Sequence, residues 1–206
     1  MIASKPIYVL TAQISAHLHF ATEVANTISL ISKNARAITA RAGESCSSFI
    51  AITEFIEELA HTTIERSRSI NTIAINISKI SVDLDREESA YRNFTQVENT
   101  ANDAPFRHSI GQAKALSQEK IQSFFLTFKE LLSQLESDLG ESWKQVRTAD
   151  MLVSSSRVEA SKSGDYRELF DTITANLQEA AQSVRSELKS AEKILRIAMR
   201  QLNESH

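Results

Sequence analysis

Two stretches of this chain carry one pattern. Ala37-Ile38-Thr39-Ala40-Arg41-Ala42-Gly43-Glu44 is followed five residues on by Phe49, and Val158-Glu159-Ala160-Ser161-Lys162-Ser163-Gly164-Asp165 is followed five residues on by Phe170. Gly43 and Gly164 stand 121 positions apart, as do Phe49 and Phe170, and the same offset links Thr27 with Thr148, Arg36 with Arg157, Ile52 with Ile173, Thr53 with Thr174, Glu58 with Glu179 and Ala60 with Ala181. A repeat of this kind constrains the fold more than any single motif, because two similar halves have similar apolar faces to bury.

The punctuation between those halves is sparse. Only 4 Gly and 2 Pro interrupt 206 residues rich in Ala, Ser, Glu, Leu, Lys, Gln and Ile, which is the profile of long helices joined by few turns. A net charge of −3, from 23 basic and 26 acidic residues, leaves no electrostatic footprint for nucleic acid or an anionic membrane surface. Cys46, the single cysteine, excludes an intrachain disulfide and a multi-thiolate metal site. The segment Met1 to Gln13 does not read as a secretory leader, and no apolar run is long enough to span a bilayer, so the expected setting is cytoplasmic.

Apolar residues recur at helical spacing throughout. A seam runs from Leu10 through Ile14, Ala21, Val24, Ile28, Ile31, Ala35, Ile38 and Ala42, with steps of four and three once His17 is counted in place. After Gly43 the pattern restarts at Phe49, Ile52, Ile56 and Leu59, passes the polar Thr63 and Arg66, and resumes at Ile70, Ile73, Ile77, Ile80, Leu84, Tyr91 and Phe94. Asn99 to Pro105 is turn-forming in composition, and Pro105 suits the first turn of a helix. A third seam includes Ile121, Phe125, Phe128, Leu132, Leu135, Leu139, Val146, Ala149 and Val153; a fourth runs from Phe170 through Ile173, Leu177, Ala181, Val184, Leu188, Ala191, Leu195, Ala198 and Leu202.

These limits predict an all-α, elongated antiparallel four-helix bundle built from two tandem hairpins, residues 1–98 and 106–206, joined by a connection at 99–105. The helices should be roughly 38, 54, 57 and 39 residues long. Both glycine turns then lie at one end, and helices 2 and 3 project past helices 1 and 4 as a two-helix arm over roughly Val82 to Phe125.

The glycine turns also resemble the hairpin tip of the cytoplasmic signalling domain of methyl-accepting chemotaxis receptors. In the first copy the matching residues are Asn34, Ala35, Ala40 to Glu44, Phe49, Ile52, Ile56, Leu59 and Ala60; in the second they are Leu152, Val158 to Ala160, Lys162 as a basic replacement, Gly164, Asp165, Phe170, Ile173, Leu177 and Ala181. Receptors of that family are homodimers of hairpins, so a chain holding both copies resembles a receptor dimer fused into one polypeptide. The resemblance implies a soluble signalling or adaptor protein whose tips contact a chemotaxis histidine kinase, a coupling protein or receptor tips, and a monomeric bundle. The implied partner-binding residues are Asn34, Ile38, Arg41, Glu44 and Phe49 in copy 1, and Ser155, Glu159, Lys162, Asp165 and Phe170 in copy 2. The copies depart from the family pattern differently: Ile38 stands where Glu is expected, Ser155 where Asn is expected, and Cys46, Ser48, Arg167 and Leu169 replace the glycines after the turns. The alternative reading is a structural or ligand-binding regulatory bundle that has lost chemotaxis coupling.

Other candidate sites read as ordinary bundle chemistry. Glu57-Glu58 and Gln178-Glu179 look like receptor methylation pairs but lie nearer the tips than such sites do, so they read as exposed helix-face polarity. Glu58-Leu59-Ala60-His61 is the Glu-x-x-His unit of di-iron bundles, yet its repeat counterpart Glu179-Ala180-Ala181-Gln182 lacks the histidine, and no metal or other cofactor is expected. Cys46 beside Glu44 reads as an inert thiol. No nucleophile-base set or phosphate loop appears in supporting context, which argues against an enzyme. His17 interrupts an apolar seam, and counting from the turns sets it level with Arg66 or Ile70 and with Asp138 and Lys189, so a polar core layer of His17, Arg66 and Asp138 is expected to fix register.

Overall fold

The computed structural model describes residues 7–43, 48–100 and 107–204. Four helices, α1 (Ile7–Ala42), α2 (Ser48–Thr100), α3 (Arg107–Lys162) and α4 (Arg167–Glu204), are 36, 53, 56 and 38 residues long, and a 3₁₀ turn, Gly164–Tyr166, precedes α4. Each helix packs along two neighbours, α1 on α2 and α4, and α3 on α2 and α4. The result is the expected antiparallel four-helix bundle with longer second and third helices. α2 continues through Asn99 and Thr100, beyond the expected boundary at 98, with the Thr100 hydroxyl donating to the Gln96 carbonyl at 2.9 Å. Glu44, Cys46 and residues 101–105 lie outside the described residues.

Both turns use the left-handed backbone region. Gly43 has φ of 67° and Gly164 has φ of 55°, the conformation that closes a helix C-terminus and that side chains with a Cβ resist. At the second turn the Ser163 amide donates to the Ala160 carbonyl at 3.1 Å, its hydroxyl donates to the Glu159 carbonyl at 2.8 Å, and the Tyr166 amide donates to the Ser163 carbonyl at 3.1 Å. Two of the carbonyls that end α3, those of Glu159 and Ala160, are thereby given donors.

Near the turns, Phe49 and Phe170 stack at the bundle axis with ring centroids 3.8 Å apart and planes inclined by 27°. Both are fully buried. Two aromatic rings fit there because the facing positions on α1 and α3 are small: Ala35, Thr39, Ser156 and Ala160 are buried in the same end of the core. The repeat is thus also a packing rule, since Ile52, Thr53, Ile56, Leu59 and Ala60 of α2 are buried and so are Ile173, Thr174, Leu177, Ala180 and Ala181 of α4. The Ser156 hydroxyl is the buried side-chain oxygen left without a partner among the described residues, and its repeat counterpart is Ala35. Ser156→Ala is therefore expected to leave stability unchanged or raise it by about 1 kcal/mol, read by urea unfolding.

One seam shifts by a residue. The line of α1 that reaches the axis is Thr11, Ile14, Leu18, Ala21, Ala25, Ile28, Ser32, Ala35 and Thr39, while Val24, Ile31, Ile38 and Ala42 flank it, half-buried. Val24, Ile31 and Ile38 recur along one flank, while the small axial side chains Ala21, Ala25, Ser32, Ala35 and Thr39 let the helices approach closely. Leu18, not His17, takes the axial position, so His17 belongs to the α1–α4 flank.

Beyond Leu10 and Leu202, α2 and α3 continue alone. The arm extends roughly 25 Å past the shorter helices. Its apolar residues Leu84, Tyr91, Phe94, Ile121 and Phe124 are only half-buried, as a single helix-helix seam allows. Two ion pairs fasten it, Lys114 to Glu98 at 2.6 Å and Lys120 to Glu87 at 2.8 Å. The hydrogen bond from Lys120, aided by one from Ser117, holds the Glu87 carboxyl below the usual carboxylate range, and the hydrogen bond to Glu98 raises the Lys114 ammonium above its ordinary value. The Glu87 contribution is present above the unfolded carboxyl value and is lost as pH falls through the lowered folded one; the Lys114 contribution is full below the unfolded ammonium value and is lost as pH rises through the raised folded one. In a Cys46→Ser background, the distance distribution between spin labels at Val97→Cys and Leu116→Cys is expected to stay narrow at neutral pH. It should broaden only in strong acid or strong alkali, and a width independent of pH would contradict this reading.

Candidate functional site

The bundle gathers the tip residues of both copies at one end. Asn34, Arg41, Ser155, Lys162 and Asp165 are exposed there. Ile38 is half-buried against the tip core, and Glu159 is half-buried, accepting from Lys162 at 3.0 Å along one turn of α3. Phe49 and Phe170, expected among the partner-binding residues, are instead spent on each other at the axis and present no surface. Glu44 lies outside the described residues.

Around this end several outward-facing positions are apolar, as are Phe20, Ile75 and Leu126 farther along the bundle. Leu30 and Met151 are repeat counterparts and are 61% and 64% exposed. Ile50, Phe55, Val158 and Leu169 are also exposed within the same two hairpin ends. No core position needs them, because the axis is already filled. The seam pattern did not single them out, since each falls between core positions; only the angular position around the helix, relative to the true axis, shows that they point outward.

Polar side chains between helices follow the repeat as well. Arg36 of α1 donates to Glu57 of α2 at 3.1 Å, and its counterpart Arg157 of α3 donates to Gln178 of α4. Glu57 and Gln178, the residues resembling methylation sites, thus act as hairpin clasps. Farther down, Arg66 of α2 donates to Asp138 of α3 at 3.3 Å, and the Ser69 hydroxyl donates to the other carboxylate oxygen at 2.7 Å. His17 meets Glu187 of α4 at 2.6 Å, a partner that counting from the turns missed in favour of Lys189, which is exposed. The signal was available: Glu187 is the repeat counterpart of Arg66.

A hollow of about 460 Å³ opens where α1 and α4 stop, lined by Tyr8, Val82, Leu84, Asp85, Phe125 and Leu202 among others. It arises because two helices cannot cover the ring of apolar residues that four helices cover farther up. For metal chemistry the arrangement offers little: His61 pairs with Glu65 at 3.6 Å on an exposed face, and among the described residues no three His, Cys, Asp or Glu side chains gather to hold an ion. No helix among the described residues is long and apolar enough to cross a membrane. Comparison with known proteins returns no matching family model, no matching curated protein and no matching solved structure, so nothing there links the chain to the chemoreceptor domains that its tips resemble.

Proposed function

We propose that this chain is a chemoreceptor-like signalling or adaptor bundle that works through protein contacts at its glycine-turn end. The observation that carries the reading is the set of outward apolar side chains there, Leu30, Ile50, Phe55, Met151, Val158 and Leu169, set among exposed Asn34, Arg41, Ser155, Lys162 and Asp165. Apolar groups beside directional polar ones are what a protein-binding surface requires. No catalytic step is part of this reading.

The test is a pull-down from purified components, with a chemotaxis kinase, a coupling protein and receptor tips as separate baits. Recovery of at least one is expected, and Leu30→Glu/Met151→Glu should weaken it at least tenfold without lowering the unfolding midpoint. Recovery of none contradicts the reading. The hollow at the arm root favours a second reading, a regulatory bundle that takes an apolar ligand. Its sign would be binding of the neutral dye Nile red that Leu84→Glu abolishes and the tip variant leaves intact.

A further inference from the structure

At one level of the bundle, each hairpin contributes two charged or ionisable side chains to the faces on which the hairpins meet. The first hairpin supplies His17 from α1 and Arg66 from α2; the second supplies Asp138 from α3 and Glu187 from α4. Positions 17 and 138 are repeat counterparts, and so are 66 and 187. The layer is therefore the same pair of positions written twice, with two bases in one copy and two acids in the other. Both contacts, His17 with Glu187 and Arg66 with Asp138, cross between hairpins.

We infer that this layer is a pairing code that makes the first hairpin choose the second rather than another copy of itself. In a bundle of two first hairpins, symmetry of the repeat would set His17 against Arg66, with no carboxylate to balance the guanidinium. In a bundle of two second hairpins it would set Asp138 against Glu187, and Asp138 is only 7% exposed in the native layer. Two carboxylates brought together with little water repel strongly, whereas the native pairing places each beside a donor. Ser69 supports the native pairing, because it donates to the same Asp138 carboxylate. The arm repeats the theme with the signs reversed: α2 supplies Glu87 and Glu98 and α3 supplies Lys120 and Lys114. Selection of this kind is the use of interfacial polar groups best attested in coiled coils, where they specify partner and register at some cost in stability. The inference is independent of what the tip binds.

A charge-exchange series in the full chain tests it. Arg66→Glu/Glu187→Arg turns both native contacts into mismatches and both self-pairings into matches. Adding His17→Glu/Asp138→Arg restores a matched layer between the hairpins with every sign inverted. The wild type is expected to run at its monomer mass of 23.0 kDa in light scattering. The double variant should lose about 5 °C or more from its unfolding midpoint and gain a species of twice the mass or larger that grows with concentration. The quadruple variant should return to monomer and recover most of the midpoint. A double variant that matches the wild type, one that loses stability yet stays monomeric, or a quadruple variant that is not rescued would each overturn the code.

Discussion

Phe170→Ala should lower the stability of the bundle by about 3–5 kcal/mol, among the largest losses expected from a core truncation in this chain. Phe170 is fully buried, and its ring stacks on Phe49 at the axis, so its removal leaves a void that small neighbours such as Ala35 and Ala160 cannot fill. Phe49→Ala should cost a similar amount. The double variant should cost less than the two added together, by about 0.5–1.5 kcal/mol, because each ring is the other's contact. Urea unfolding of the four proteins reads this coupling. Strict additivity would mean that the rings do not meet.

The second large effect concerns the flank. Arg66→Met should cost about 1–3 kcal/mol, since it leaves the nearly buried Asp138 carboxylate with Ser69 as its remaining side-chain donor. Arg66→Met/Asp138→Leu should recover most of that loss, because replacing both members removes the burial penalty along with the contact. A double replacement worse than the single one would show instead that the pair contributes net stability. Arg66 keeps part of its side chain in water, which is why the expected loss stays at the lower end of what a fully buried pair would give.

Much of the architecture was legible because large apolar residues mark a helix seam when the axis is wide enough to hold them. All ten seam residues read in α4, from Phe170 to Leu202, are buried. In α1 the same reasoning chose Val24, Ile31 and Ile38 over Ala25, Ser32 and Thr39, because hydrophobicity alone favours the larger side chain. Near the tip the reverse holds: two phenylalanines occupy the axis, and the facing helices must offer small residues. That same displacement of one residue moved His17 off the axis and hid Glu187. Burial of Phe49 and Phe170 was hidden for a related reason, since a motif match says which residues recur but not whether they recur for packing or for contact. The outward apolar side chains at the tip were the least legible, because their meaning depends on the angle each makes with an axis that only the packed bundle defines.

The two repeat copies fold back on each other with both glycine turns at one end. Spin labels at Arg41→Cys and Lys162→Cys, in a Cys46→Ser background, measure it directly. Both residues are exposed at the ends of their helices, on α1 and α3. The packed bundle predicts one narrow distance below about 40 Å, set by neighbouring helix axes plus the label arms. Hairpins laid end to end would instead separate the labels by more than about 100 Å, outside the measurable range, and that result would contradict the account.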